Sequence, residues 1–214
     1  MTPPVKRSLP HRSFVLQRIF VGAEGQSELA LVKWLEQLCR QQNIPIHLET
    51  YVAEGGDTLQ VISRSLYALA RYKDNFLTDL PSMILLDSDR LLQDASRSDQ
   101  AVRMAQARGV KLIFLCPKVE GLLYRLHHGK EKHRPTVDKA ESQLKQCWPQ
   151  YAKPPKVDDL EKHFAQHFAK TGGDPLAQLR AAAAHDPCLA ALLELIKLFT
   201  PPAPSDCLRF AQAY

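Results

Sequence analysis

An α/β fold with a mainly parallel four-stranded sheet flanked by helices, followed by a C-terminal helical annex, is what this 214-residue sequence predicts. Three observations predict it. Short apolar runs suited to strands alternate with segments whose apolar residues recur at helical spacing, the pattern of a parallel sheet joined by crossover helices. Beyond about residue 128 the strand-like runs stop and helical patterns continue. A hydrophobic content of 45% over this length suffices for one sizeable core.

The elements follow in chain order. Residues 1–13 are rich in proline and basic side chains and read as a flexible arm. Phe14 to Val21 begins the fold with a strand. Leu31, Trp34, Leu35 and Leu38 recur at i, i+3, i+4 and i+7, which predicts a helix from about Ser27 to Gln41, ended by Asn43-Ile44-Pro45. Ile46, Leu48, Thr50 and Val52 alternate with His47, Glu49 and Tyr51 as a strand. Gly55-Gly56 turns the chain, and Asp57 is suited to cap a helix carrying Leu59, Ile62, Leu66 and Leu69. Met83-Ile84-Leu85-Leu86 is a third strand, Ala95 to Arg108 a helix closed by Gly109, and Lys111 to Leu115 a fourth strand. Val119 to His128 is helical. Residues 129–156 are basic and interrupted by proline, and helices follow over Asp158–Lys170 and Pro175–Phe199, the last divided at Pro187. The divisions expected are an arm over 1–13, an α/β core over 14–128 and a basic helical extension over 129–214.

Charge distribution says more than the net charge of +5. Residues 1–18 hold Lys6, Arg7, Arg12 and Arg18 with no acid, and 121–157 hold eight Lys/Arg against Glu131, Asp138 and Glu141. Contact with nucleic acid is permitted by this excess and not demanded by it. The cysteines, Cys39, Cys116, Cys147, Cys188 and Cys207, are odd in number and never stand in a C-x-x-C spacing, so neither a disulfide framework nor a zinc ribbon is expected. No apolar stretch approaches bilayer length, and a cytoplasmic location is expected.

The chemistry-bearing residues cluster where strands end. Asp87-Ser88-Asp89 follows the Met83 strand, and Glu24-Gly25-Gln26-Ser27-Glu28 follows Ile19-Phe20-Val21. Each segment alone has a plainer account: Ser27 can cap a helix, Glu28 suits the positive end of its dipole, and aspartates favour turns. If the first and third strands are neighbours with the second outside them, however, their carboxyl ends flank the switch point where such sheets bind ligands, and Glu24, Asp87 and Asp89 converge. Two carboxylates about 4 Å apart repel by something like 4 kcal/mol at an effective dielectric near 20. A divalent cation removes that conflict, and hard oxygen donors suit Mg²⁺ or Mn²⁺. Glu120, just past the fourth strand, could join the same rim or serve the dipole of its own helix. Arg90 and Lys118 could hold a phosphate or pair with an acid, and Tyr151-Ala152-Lys153-Pro154-Pro155-Lys156 reads as a strand-contacting loop or an ordinary solvated one. His127-His128, with His133 nearby, could ligate metal or contact phosphate, but consecutive histidines face different sides of a helix, and a surface position is the plainer expectation.

These motifs carry a family resemblance. A Glu-Gly-x-Ser/Thr-Glu segment after the first strand and an Asp-x-Asp after a later one resemble the TOPRIM domain of topoisomerases, primases and OLD-type nucleases. Cys116-Pro117-Lys118-Val119-Glu120-Gly121-Leu122-Leu123-Tyr124 is similar to the third motif of the small RloB-like group, with Leu122 where a tryptophan is usual and Gly121 as an uncommon neighbour. The resemblance covers about 14–128. It implies a TOPRIM, Rossmann-like core and a Mg²⁺- or Mn²⁺-dependent nuclease cutting DNA or RNA phosphodiesters, with Glu24 as acid/base or metal ligand and Asp87 and Asp89 as metal ligands. Glu28 and Glu120 would complete a second metal position, and Arg90, Lys118, Lys153 and Lys156 would contact phosphate. It further implies hydrolysis without a tyrosine nucleophile, a role in bacterial anti-phage defence, and an ATPase partner encoded nearby. The alternative is a non-catalytic nucleic-acid-binding or regulatory subunit.

Overall fold

The structure is a computed structural model that describes residues 16–76, 80–91 and 95–198. The arm expected over 1–13, Cys207 and the far end of the last helix lie outside them. Four strands, β1 (Gln17–Ala23), β2 (Ile46–Val52), β3 (Ser82–Asp87) and β4 (Lys111–Leu115), form one sheet in the order β2-β1-β3-β4. All three pairings are parallel, with Val21 beside both Thr50 and Met83 and Leu85 beside Ile113. The chain steps outward from β1 to β2, then returns past β1 to β3 and β4. The order therefore reverses between β1 and β3.

Both faces of the sheet are covered, which is why β1 and β3 read as nearly continuous apolar runs. Phe20, Ile84, Leu86 and Phe114 pack under Val61, Ile62 and Leu66 of α2 (Thr58–Phe76) and Ala101 of α3 (Ala95–Ala107). The alternate residues, Ile19, Val21, Met83, Leu85 and Ile113, pack under Leu31 and Leu35 of α1 (Gln26–Gln41). The remaining helices join this second layer: α4 (Val119–Arg125), α5 (Ala140–Cys147), α6 (Val157–Thr171), α7 (Pro175–Ala183) and α8 (Pro187–Leu195). Trp34 on α1 stacks on Phe164 of α6 with ring centroids 5.1 Å apart. Leu160, Leu179, Leu189 and Leu193 belong to the same apolar cluster as Ile19 and Leu85, so the extension shares a core with the sheet instead of building its own. Among the described residues no helix is long and apolar enough to cross a membrane.

Local chemistry fixes the element ends. The Asp57 carboxylate accepts from the Gln60 amide at 2.9 Å while the Gln60 side chain accepts from the Asp57 amide at 3.2 Å, a reciprocal cap for α2. Gly109 closes α3 at φ +67°. Pro175 and Pro187 open α7 and α8 behind the caps Asp174 and Asp186.

Three local expectations are corrected. The N-cap of α1 is Gly25, not Ser27, because Glu28 already turns back to accept from the Gly25 amide at 2.7 Å. Helix α4 stops at Arg125 instead of running to His128, since the His127 ring bonds the Leu123 and Tyr124 carbonyls and the chain turns at Gly129, φ +78°. The proline-interrupted stretch contains α5, whose only buried residues are Ala140 and Leu144, too few to register as a periodic pattern.

Candidate functional site

The reversal between β1 and β3 gathers the acids. The Glu24 amide donates to the Leu85 carbonyl at 3.2 Å, so the end of β1 is tied to β3 two residues before Asp87. The Glu24 carboxylate is buried, accepts from the Asp87 amide at 3.2 Å and pairs with Arg90 Nε at 3.2 Å. The Asp87 carboxylate accepts from the Val119 amide at 3.1 Å, which joins the end of β3 to the first turn of α4. The Pro117 carbonyl receives the amides of Ser88 at 3.0 Å and Asp89 at 3.3 Å, along with the Ser88 hydroxyl at 3.2 Å. The Asp-Ser-Asp turn is thus clamped to the end of β4. Nothing in the sequence pattern signals that clamp, because it is a contact between two loops.

Glu120 is fully buried at the start of α4. Its Oε1 accepts from Tyr151 Oη at 3.0 Å and from Lys153 Nζ at 2.9 Å. Its Oε2, like Asp89 Oδ1, is buried with no hydrogen-bond partner among the described residues. Gly121 has a steric reason beside it: a Cβ there would meet Pro117 Cδ at 2.6 Å, the Cys116 carbonyl oxygen at 3.1 Å and Pro135 at 3.3 Å. Only glycine lets α4 start hard against the Cys116-Pro117 segment, and that seat aims Glu120 inward.

The electrostatics report a crowded anionic site. Burial pushes the Asp87 carboxyl well above its ordinary range, and the charges of Glu28, Glu24, Asp89 and Glu120 push it further. Burial likewise raises Glu24, with Glu28 and Asp89 adding to the shift against Arg90 and the Asp87 amide. Glu28 is raised by burial and by Glu120, against the Gly25 amide and Lys153. Burial opposes the Lys153 ammonium, yet its bond to Glu120 and the nearby Asp87 and Glu28 raise its pKa overall. A cleft of about 330 Å³ opens over these groups, lined among others by Glu24, Glu28, Gly55, Asp87, Arg90 and Lys153.

The structure therefore brings together Glu24, Glu28, Asp87, Asp89 and Glu120, with Arg90 and Lys153 as their cationic neighbours. Lys118 is the N-cap residue of α4, and its charge acts on Glu141 at the start of α5, as do those of Lys145 and Lys153. Lys156 stands apart, exposed at the N-cap of α6. Among the described residues no three His, Cys, Asp or Glu side chains stand in ligand geometry about a common point. The reason is visible in the bonding: Glu24, Glu28, Asp87 and Glu120 each accept from protein donors. A cation would have to rearrange side chains held by Arg90 and Lys153.

A second polar cluster corrects the surface expectation for His127, whereas His128 and His133 are exposed. His127 is buried, and its Nδ1 lies 3.0 Å from the Leu123 carbonyl and 3.2 Å from that of Tyr124. Both are acceptors, so Nδ1 carries the proton, and Nε2 accepts from His163 Nε2 at 2.8 Å. His167 Nε2 accepts from the His128 amide at 3.2 Å, and Trp148 stacks flat on His163 with centroids 4.2 Å apart. The i, i+4 spacing of His163 and His167 on a helix was a readable signal for one shared face. Burial lowers His127 to about 4, helped by His167, and burial with His127 and His167 lowers His163 to about 4.

A pH effect follows. A histidine kept neutral by the fold binds its proton more readily when unfolded, so its contribution is present above the ordinary pKa and is lost as pH falls from about 6.5 toward 4. For His127 alone the loss by pH 4 is about 3 kcal/mol. The urea midpoint of the wild type should drop between pH 7 and pH 4.5 more steeply than that of His127→Gln. Parallel slopes would show that the cluster does not control acid lability.

No family model, curated protein or solved structure matches this chain.

Proposed function

We propose that the chain is a divalent-metal-dependent, TOPRIM-type enzyme that cleaves nucleic-acid phosphodiesters. The observation that carries this reading is the convergence of carboxylates from three chain segments at the carboxyl edge of β1, β3 and β4, beside a rim of lysines. Such an edge at a strand-order reversal is where open α/β sheets take ligands. The donor types suit a hard cation, once the side chains held by Arg90 and Lys153 rearrange. Five clustered acids face Arg90 and Lys153 as their nearby cations, and the buried, orphaned Asp89 Oδ1 and Glu120 Oε2 are oxygen donors of the type Mg²⁺ and Mn²⁺ prefer.

Glu24, Asp87 and Asp89 would hold the cation, with Glu28 and Glu120 behind them. When bound, it supplies a Lewis acid for a phosphoryl oxygen and a counter-charge for the transition state. The chain's own groups do the rest. Glu24, its carboxyl raised by burial, is the side chain suited to exchange a proton. Arg90, which lines the cleft, and Lys118 would orient phosphate oxygens, and Lys145, beside Glu141, would extend the basic rim along α5.

Incubating the full chain with single-stranded DNA, duplex DNA and RNA tests the reading. Cleavage should require Mg²⁺ or Mn²⁺, stop in EDTA and disappear in Asp89→Asn. Cleavage that survives that substitution sinks the assignment of the site. One observation favours a second reading, a non-catalytic binding subunit: the ion pairs of Glu24 with Arg90 and Glu120 with Lys153 already compensate part of the charge. Nucleic-acid binding that persists in EDTA, with no cleavage under either metal, selects it.

A further inference from the structure

Helix α2 carries a stripe that the core does not use. Among its described side chains the exposed ones are Gln60, Arg64, Tyr67, Arg71 and Asp74, at i, i+4, i+7, i+11 and i+14, which is one line along the helix. Tyr67 is 68% exposed, and Leu16 is the one other large hydrophobic side chain that stands so open among the described residues. An arginine lies one turn before Tyr67 and another one turn after it. About 16 Å of helix, from Gln60 to Arg71, therefore presents cation, ring and cation in order. No acid interrupts that stretch of sequence, and the first on the stripe is Asp74, beyond Arg71.

The stripe starts at the candidate site. Gly55, on the loop between β2 and α2, lines the cleft over the acids. Arg64 Nη1 donates to the Ala53 carbonyl at 2.8 Å and to the Gly55 carbonyl at 3.1 Å, so the first cation of the stripe is fastened to the cleft wall. Because α2 begins at the carboxyl edge of the sheet, the stripe leads from the mouth of the cleft away along the helix. A chain of phosphates with unstacked bases fits this arrangement, since guanidiniums meet phosphates and an open ring takes a base on its face. A duplex fits it poorly: its bases are stacked on one another and offer the ring no face.

We propose that α2 is a track for single-stranded nucleic acid leading into the cleft over Gly55, with a base stacked on Tyr67 between phosphates held by Arg64 and Arg71. The inference rests on the nucleic-acid reading above and names the substrate as a single strand.

Fluorescence anisotropy with labelled oligothymidylate and with a blunt duplex of mixed sequence tests it. The track itself needs no metal, so binding is measured in EDTA, which by the reading above also prevents cleavage. Tyr67→Ala should weaken single-strand binding by a factor of about 5 to 150 and leave duplex affinity unchanged, while Tyr67→Trp keeps single-strand binding. Arg71→Gln should make the slope of log K against log salt shallower by about 0.7 for the single strand. Tyr67 is exposed, so its variants are expected to fold, with the thermal midpoint as control. Unchanged single-strand affinity in Tyr67→Ala overturns the inference and leaves the assignment of the cleft standing. An equal loss on single strand and duplex also overturns it. Self-association that Tyr67→Ala abolishes, with oligothymidylate affinity unchanged, overturns it in favour of a second copy on this face. A wild type that binds neither nucleic acid removes the nucleic-acid reading itself, and the inference with it.

Discussion

Replacing Asp87 with Asn is expected to stabilise the metal-free protein and to lower the proposed cleavage activity sharply. Asp87 carries the cost of the site: burial and four neighbouring acids hold its pKa well above the ordinary range. A carboxyl whose folded pKa is raised contributes most when protonated, and that contribution is lost as pH rises through the folded value. Above that value the wild type bears an anion that burial and its neighbours oppose. Asn is neutral and keeps an oxygen to accept the Val119 amide, so the clamp to α4 survives. The thermal midpoint without metal should rise at pH 8 by about 2–4 °C for each kcal/mol of relieved repulsion. The gain should shrink as pH is lowered and the wild-type carboxyl takes up its proton. Mn²⁺ should stabilise the wild type and not the variant. Cleavage should fall by a factor on the order of 10³, the several kcal/mol of charge stabilisation that a lost metal ligand removes. A variant less stable than wild type at pH 8 would refute the electrostatic account.

Asp186→Ala carries the largest expected stability loss. Arg125 and Asp186 are 1% and 2% exposed and form an ion pair inside the helical layer. Asp186 Oδ1 also accepts from the Cys188 amide at 2.9 Å and the Leu189 amide at 3.0 Å, capping α8. Truncation leaves a buried guanidinium without its counter-charge and two helix amides without an acceptor. Breaking such a pair costs about 3–5 kcal/mol, and the lost cap about 1 more. Arg125→Met should cost less, because Asp186 keeps its capping bonds. The double change Arg125→Met with Asp186→Asn should recover much of the loss, since no lone charge is then buried. Urea unfolding measures all three. A cost below about 1 kcal/mol for Asp186→Ala would mean that the pair is not sealed from solvent. The pair bears on the site because Arg125 ends the helix that Glu120 begins, and its Nε donates to the Gly121 carbonyl at 3.4 Å. Loosening that anchor should weaken the seat of Glu120 as well as the fold.

The strands and the first three helices were legible because each carries its signal within its own span. Alternation marked β2, helical spacing marked α1 and α2, and Gly109 marked the end of α3. Even the strand order was readable as a condition: acids after β1 and β3 serve one site only if those strands are neighbours, and they are. Helix α5 was not legible, since a helix of eight residues with two buried side chains holds its shape through tertiary contact. His127 was misplaced for a related reason. His127 and His163 are 36 residues apart, and periodicity within a helix says nothing about which side chain arrives from another.

By itself the sequence determined the class of fold, the alternation of its elements and which acids stand at strand ends, because these depend on local period and on residue type. Only the tertiary structure decided that Glu24, Glu28, Asp87, Asp89 and Glu120 share one electrostatic neighbourhood, and that Lys153 enters it from the segment before α6. It also decided that the extension completes the sheet's second layer. The physical reason is range. Propensity and periodicity act over a few residues, whereas burial and Coulomb interaction depend on distance through space, which the order of residues along the chain does not state.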